Sequence, residues 1–91
     1  PGLLGNVVAG RIANRFGLGG ANCVVDAACA SSLAGLSMAV NELQLQQSDM
    51  ALVGGVDTLN DIEMFMCFSK TPALSMTGDC RPFSATADGT M

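Results

Sequence analysis

The sequence predicts an α/β fold containing one βαβ unit, and three observations carry that prediction. Residues 23–28, Cys-Val-Val-Asp-Ala-Ala, are short, apolar and β-branched. Residues 30–47 follow with apolar side chains at helical spacing, and residues 50–56, Met-Ala-Leu-Val-Gly-Gly-Val, form a continuous apolar run of strand length. A run that is apolar throughout suits a strand covered on both sheet faces, as in a parallel sheet. Strand, helix and strand in this order form a right-handed crossover between parallel strands.

The chain opens with a segment, residues 6–16, in which Val8, Ile12 and Phe16 recur every fourth residue while Arg11 and Arg15 share another face. That spacing predicts a short helix, which Gly17-Leu18-Gly19-Gly20 ends. The helix expected over residues 30–47 has about five turns, with Leu33, Leu36, Val40 and Leu43 on one stripe. Small residues (Ala30, Ser31, Ser32, Ala34, Gly35) fill its start, Asn41, Glu42, Gln44, Gln46 and Gln47 crowd its far end, and Gln47-Ser48-Asp49 stops it. Beyond Asp57, Ile62, Phe65 and Met66, with Ser69 at the margin, indicate one more short helix. Residues 71–89 gather the turn formers Thr71-Pro72, Thr77-Gly78-Asp79, Arg81-Pro82 and Asp88-Gly89. This stretch reads as ordered loop, because Leu74, Met76 and Phe83 call for burial. Asp57, Asp61 and Glu63 read as solvated loop acids rather than as a catalytic carboxylate pair.

Hydrophobic residues make up 49% of the 91 positions and charged residues only 13%, against about 25% charge in a typical domain. A chain of this size buries only roughly 60–65% of the surface it exposes when unfolded. So apolar a composition reads as the interior of a larger protein, and a start at Pro1 and a stop at Met91 read as cuts in a longer chain. The net charge is −4, and the four cations, Arg11, Arg15, Lys70 and Arg81, are too scattered for a phosphate-binding stripe. No apolar run reaches the roughly 18–20 residues of a membrane span, and no basic-then-apolar leader is present. Neither nucleic acid nor membrane is expected as a partner, and the expected location is the cytoplasm.

Cys23, Cys29, Cys67 and Cys80 are the four cysteines. Two disulfides in a secreted miniprotein would account for them, but such scaffolds are polar and loop-rich, so reduced cytosolic thiols are the preferred reading. No metal is expected: there is no Cys-x-x-Cys pair, and the absence of histidine removes the Cys₂His₂ and Cys₃His ligand sets.

Cys29 stands where the first apolar run hands over to the long helix. The first N–H groups of a helix lack internal partners and carry partial positive charge. They stabilise a thiolate, and they can receive an acyl oxygen that turns anionic under attack. The small neighbours Ala28, Ala30 and Ser31 leave room for a long substrate. Sharp strand-to-helix turns bearing the nucleophile recur in acyl transfer. Position alone leaves a second reading open, in which Cys29 is a small buried hydrophobe.

The surrounding residues add a resemblance. Val25-Asp26-Ala27-Ala28-Cys29-Ala30-Ser31-Ser32-Leu33 closely resembles the active-site signature of β-ketoacyl synthases, V-D-T-A-C-S-S-S-L. Asn6-Val7-Val8-Ala9-Gly10-Arg11-Ile12-Ala13 is similar to that family's N-x-x-A-G-R-I-[AS], and Gly54-Gly55-Val56-Asp57 to its G-G-V-[ND]. Phe68 to Ser75 resembles F-x-x-x-x-A-L-S, and Arg81-Pro82-Phe83 with Ala87-Asp88-Gly89 resembles R-P-F-D-x-x-A-D-G. The five segments span the chain in register. Residues 22–29 and 68–75 look nearest to multidomain polyketide synthases, the polyunsaturated-fatty-acid synthase type above all.

The resemblance implies a thiolase-like fold (αβαβα), of which residues 1–91 would form part of the N-terminal half of a ketosynthase domain. The implied reaction is decarboxylative Claisen condensation, in which Cys29 takes an acyl chain from a phosphopantetheine thioester of acyl carrier protein and a malonyl thioester supplies the attacking carbanion. Covalent catalysis of this kind divides one hard step into two. The Cys29 backbone N–H would form half of the oxyanion hole. Phe68 matches the family's aromatic beside the acyl chain, with Met64 one turn earlier; both equally fit an ordinary core. Asp26 is expected to be hydrogen-bonded near a subunit interface, not catalytic. The full domain is implied to be a homodimer, with no bound cofactor.

Two departures stand out: Ser84 replaces the usual Asp after Arg-Pro-Phe, which puts loop anchoring in doubt, and Cys80 is unusual before it. The family's two catalytic histidines lie far downstream of the cysteine, and this sequence has none, so the chain alone is expected to be inactive. Rival readings are another thiolase-fold acyltransferase, such as a thiolase or a chalcone-synthase-like protein, and a non-catalytic dimer partner, against which the presence of Cys29 argues. Gly17-x-Gly19-Gly20 as a dinucleotide loop fails on spacing and on preceding an expected strand rather than a helix.

Overall fold

The computed structural model describes residues 2–91. Its regular elements are α1 (Val7–Phe16), α2 (Ser31–Gln44) and α3 (Ile62–Lys70). The chain divides into two units, the first ending at Val56 and the second beginning at Asp57.

In the first unit, α1 follows the expected bounds within one residue. Asn6 stands at its start, but its side chain does not cap the helix; Oδ1 accepts the Val24 N–H at 2.9 Å and so ties α1 to the segment leading to Cys29. The far end closes by a pair of backbone bonds, Leu18 N–H to Ala13 O at 2.8 Å and Gly17 N–H to Asn14 O at 3.4 Å.

Helix α2 ends at Gln44, short of the 47 its polar pattern suggests. Gln46 turns left-handed (φ 56°), and Gln47 and Gln46 donate to Glu42 O (3.0 Å) and Leu43 O (3.1 Å). This is a Schellman closure made without glycine. The side of α2 that approaches the rest of its unit is the small one. Ser31, Ala34, Gly35 and Ala39 are half-buried, whereas the stripe of Leu33, Leu36, Val40 and Leu43 is exposed. A Cβ placed on Gly55 would lie 2.8 Å from Ser32 Cβ, and one on Gly35 would lie 3.8 Å from Val53 Cγ1. Residues 53–55 therefore run against the first turns of α2 at glycine spacing.

The two expected strands do not appear. Among the described residues there is no ladder: residues 23–28 and 50–56 exchange no backbone hydrogen bonds, and only isolated bridges, Ala27 with Cys29 and Leu74 with Thr90, are present. The described residues thus show a helix flanked by two unpaired segments and do not by themselves form the βαβ unit. Apolar patterning marks a segment that would suit a covered sheet, but a strand exists only where another backbone edge meets its N–H and C=O groups. None does so here.

In the second unit, Asp61 has extended backbone (φ −114°, ψ 171°), and its Oδ1 accepts the Met64 N–H at 2.9 Å, which caps α3. Glu63 lies in the first turn and Lys70 in the last, both with the sign that the helix dipole favours. Asp57 closes a local turn by accepting the Leu59 N–H at 3.0 Å. All three acids are exposed, as expected, but Asp57 and Asp61 also hold backbone amides and Glu63 lies in α3 rather than in loop.

The segment after α3 is ordered, as expected, but polar side chains order it. Asp88 accepts the Ser75 hydroxyl at 2.8 Å, the Thr77 hydroxyl at 3.3 Å and the Arg81 guanidinium at 3.0 Å, the last an ion pair. Two backbone bonds, Ser75 N–H to Thr90 O at 2.8 Å and Thr90 N–H to Ala73 O at 2.9 Å, clip its ends together. Gly89 (φ 146°) has no room for a side chain, since a Cβ would lie 2.5 Å from Ser75 N. Leu74 is half-buried, but Met76 and Phe83 are 94% and 104% exposed, so the expected burial of those two is wrong: nothing apolar in the unit reaches them. At Ser84 the side-chain contacts are local. Its hydroxyl accepts the Thr86 N–H at 3.2 Å and shares a hydrogen bond with Thr86 Oγ1 at 3.0 Å, a turn that an aspartate could also make. No described residue in either unit is buried.

Candidate active site

Cys29 occupies the second-last position before α2. Its thiol is free and exposed, as are those of Cys23, Cys67 and Cys80. The turn that presents it is strained. Ala28 has φ 50°, in the left-handed region that residues with a Cβ seldom adopt, and such a conformation costs on the order of 1–3 kcal/mol. Two side chains hold it there. Asp26 Oδ1 accepts the Ala28 N–H at 3.0 Å. Ser31 Oγ accepts the Ala27 N–H at 2.9 Å and donates to Ala28 O at 2.6 Å. Backbone bonds from Ala30 N–H to Ala27 O and from Ser31 N–H to Ala28 O, both 3.1 Å, complete the turn.

The helix start behind the thiol is electropositive. Ala30, at the N-cap, has no side-chain acceptor to offer. Among the described residues, the backbone N–H groups of Cys29, Ser32 and Leu33 have no hydrogen-bond acceptor, whereas Ala34 N–H already bonds Ala30 O at 2.9 Å. Unpartnered amides at a helix N-terminus attract negative charge. Side chains there are small, and Ser32 is packed against Gly55.

Met64 and Phe68 lie one turn apart on α3, in the second unit, with Met64 half-buried and Phe68 37% exposed. Asp26 is hydrogen-bonded, as expected, but to its own turn. What sequence reasoning missed is the pair of turn-holding groups, Asp26 and Ser31; the only trace of them is a polar residue on each side of Ala-Ala-Cys-Ala. No group of three or more His, Cys, Asp or Glu side chains among the described residues is placed to hold a metal ion. No described helix is long and apolar enough to cross a membrane.

Two comparisons bear on this arrangement. The family model described as β-ketoacyl synthase, N-terminal domain, matches residues 1–91. Among curated proteins, the chain is 49% identical over 89 residues to a polyunsaturated fatty acid synthase from a Thraustochytrium species, covering 98% of this chain and 3% of that protein. It is 45% identical over 89 residues to mycoketide-CoA synthase of Mycobacterium tuberculosis (98% and 2%). A third relative, the pikromycin polyketide synthase component PikAII of Streptomyces venezuelae, is 44% identical over 86 residues (94% and 2%). The chain therefore spans at most 3% of the length of these relatives.

Proposed function

Because this chain belongs to the β-ketoacyl synthase family, through that family's N-terminal domain, we propose that its parent protein condenses acyl and malonyl thioesters in polyketide or fatty acid biosynthesis. Membership in the family implies the thiolase-like fold. Within it, residues 1–91 supply part of the N-terminal half, and residues 23–28 and 50–56 become the two strands of the βαβ unit once neighbouring backbone pairs with them.

Cys29 is the acyl acceptor in this reading. Its sulfur bonds the carbonyl carbon of an acyl thioester delivered on the phosphopantetheine arm of acyl carrier protein; the carrier sulfur departs and takes up the proton that the thiol gives up. The malonyl thioester then loses CO₂, its carbanion bonds the acyl carbon, and the Cys29 sulfur leaves and is reprotonated. The Cys29 N–H receives the carbonyl oxygen as it becomes anionic. Phe68 and Met64 border the acyl chain. The parent works as a homodimer in the cytoplasm and needs no bound cofactor. Decarboxylation and proton handling require groups this chain lacks, since it contains no histidine, so residues 1–91 alone are inactive.

The observation that carries the proposal is an exposed thiol on a strained turn, next to helix N–H groups with no acceptor, in a chain that the family model matches throughout. In the parent synthase, iodoacetamide or cerulenin is expected to label Cys29 faster than Cys23, Cys67 or Cys80, and Cys29→Ala to abolish chain elongation. Retained elongation in that variant would overturn the reading.

A further inference from the structure

We propose that Ser31 is a positioning residue for Cys29, acting through the left-handed conformation of Ala28; the inference rests on the reading of Cys29 as acyl acceptor. Ala28 sits at φ 50° immediately before the thiol. Left to its own preference an alanine would relax toward negative φ, which would rotate the peptide that carries Cys29 and re-aim both its sulfur and its N–H. The Ser31 hydroxyl is the one side-chain group that bridges this residue from both sides. It accepts from Ala27 N at 2.9 Å, ahead of Ala28, and donates to Ala28 O at 2.6 Å, behind it. Asp26 holds the intervening amide, accepting Ala28 N–H at 3.0 Å. Ser31 is also the first residue of α2 and is half-buried, so its position is fixed by the helix and it transmits the helix's rigidity to the turn. A hydroxyl is required because the atom must accept and donate at once. Threonine keeps both capacities; alanine and valine keep neither.

The test is single-turnover acylation of Cys29 in the full parent synthase, using an acyl N-acetylcysteamine thioester and reading the mass of the Cys29 peptide. Ser31→Ala is expected to slow acylation on the order of tenfold or more, with little change in the thioester concentration giving half-maximal rate, as misaiming of a reacting group does. Ser31→Thr is expected to restore most of the rate, and Ser31→Val to stay as slow as Ser31→Ala; the Thr and Val pair decides the matter if the alanine variant folds poorly. Adding Ala28→Gly to Ser31→Ala is expected to recover part of the rate, because glycine holds a positive φ without help. Wild-type rates in Ser31→Ala, or equal rates in the Thr and Val variants, overturn the proposal while leaving Cys29 as the acceptor. A wild-type synthase that never acylates Cys29 overturns the underlying reading and this inference with it.

Discussion

Gly55 shows how closely a single residue can control the turn that bears Cys29. Ser32, three positions after the thiol, has its Cβ where a Gly55 side chain would begin, at 2.8 Å. Neither atom is the end of a flexible side chain, so the clash could be relieved only by moving backbone at the start of α2. Gly55→Ala is expected to destabilise the intact ketosynthase domain by about 1–3 kcal/mol, the usual effect of overpacking, read by denaturant unfolding. Slower Cys29 alkylation should accompany it, and an unchanged midpoint with unchanged alkylation would contradict the contact. Asn6 shows the same economy from another direction. A residue placed to cap a helix instead lends its acceptor to Val24, and this accounts physically for an asparagine at the head of the Asn6–Ala13 motif.

At the scale of elements, α2 and the loop after α3 each depend on an uncommon local choice. Gln46 closes α2 at φ 56°, where glycine would be at ease. Gln46→Gly is expected to stabilise the domain by about 0.5–1 kcal/mol, the strain relieved being partly offset by chain entropy; a lowered unfolding midpoint would count against it. In the loop, the Ser75 hydroxyl and then the Arg81 guanidinium hold the Asp88 carboxyl below the usual carboxylate range. With the folded-state value depressed, the cluster is at full strength above the ordinary aspartate range and is lost as pH falls through the lowered value. Amide exchange at Ser75 and Thr77 is expected to stay slow until that acid range and then to quicken, whereas in Asp88→Asn it should be fast throughout. All three helices were legible in the sequence to within a few residues, because apolar period and stop signals report local geometry. The lack of pairing between residues 23–28 and 50–56 was not, since a ladder depends on backbone that no periodicity describes. Cys29 could be singled out from its place between run and helix, but the φ of Ala28 and its two holders could not, because alanine announces no turn.

For the molecule as a whole, the apolar content and the absence of any buried residue among those described belong together. The small faces of α1 and α2 are used within the first unit, while the large stripes, Val8, Ile12 and Phe16 on one and Leu33, Leu36, Val40 and Leu43 on the other, remain exposed. Apolar surface of that extent is a docking face or a liability in water. Residues 1–91 produced alone are therefore expected to bind 8-anilinonaphthalene-1-sulfonate strongly and to lose helical signal gradually on heating, without a cooperative transition. A sharp calorimetric melt with no dye binding would show that the chain sustains its own core. The close approach of residues 53–55 to the head of α2 also bears on recombination between synthases. A chimaera whose crossover fell between Ser31 and Gly55 would join a helix from one parent to a backbone segment from another, and any bulkier residue at either glycine would pry the two apart beside the thiol. Productive exchange points should lie outside that stretch, so that Cys29 travels with the backbone it was fitted to.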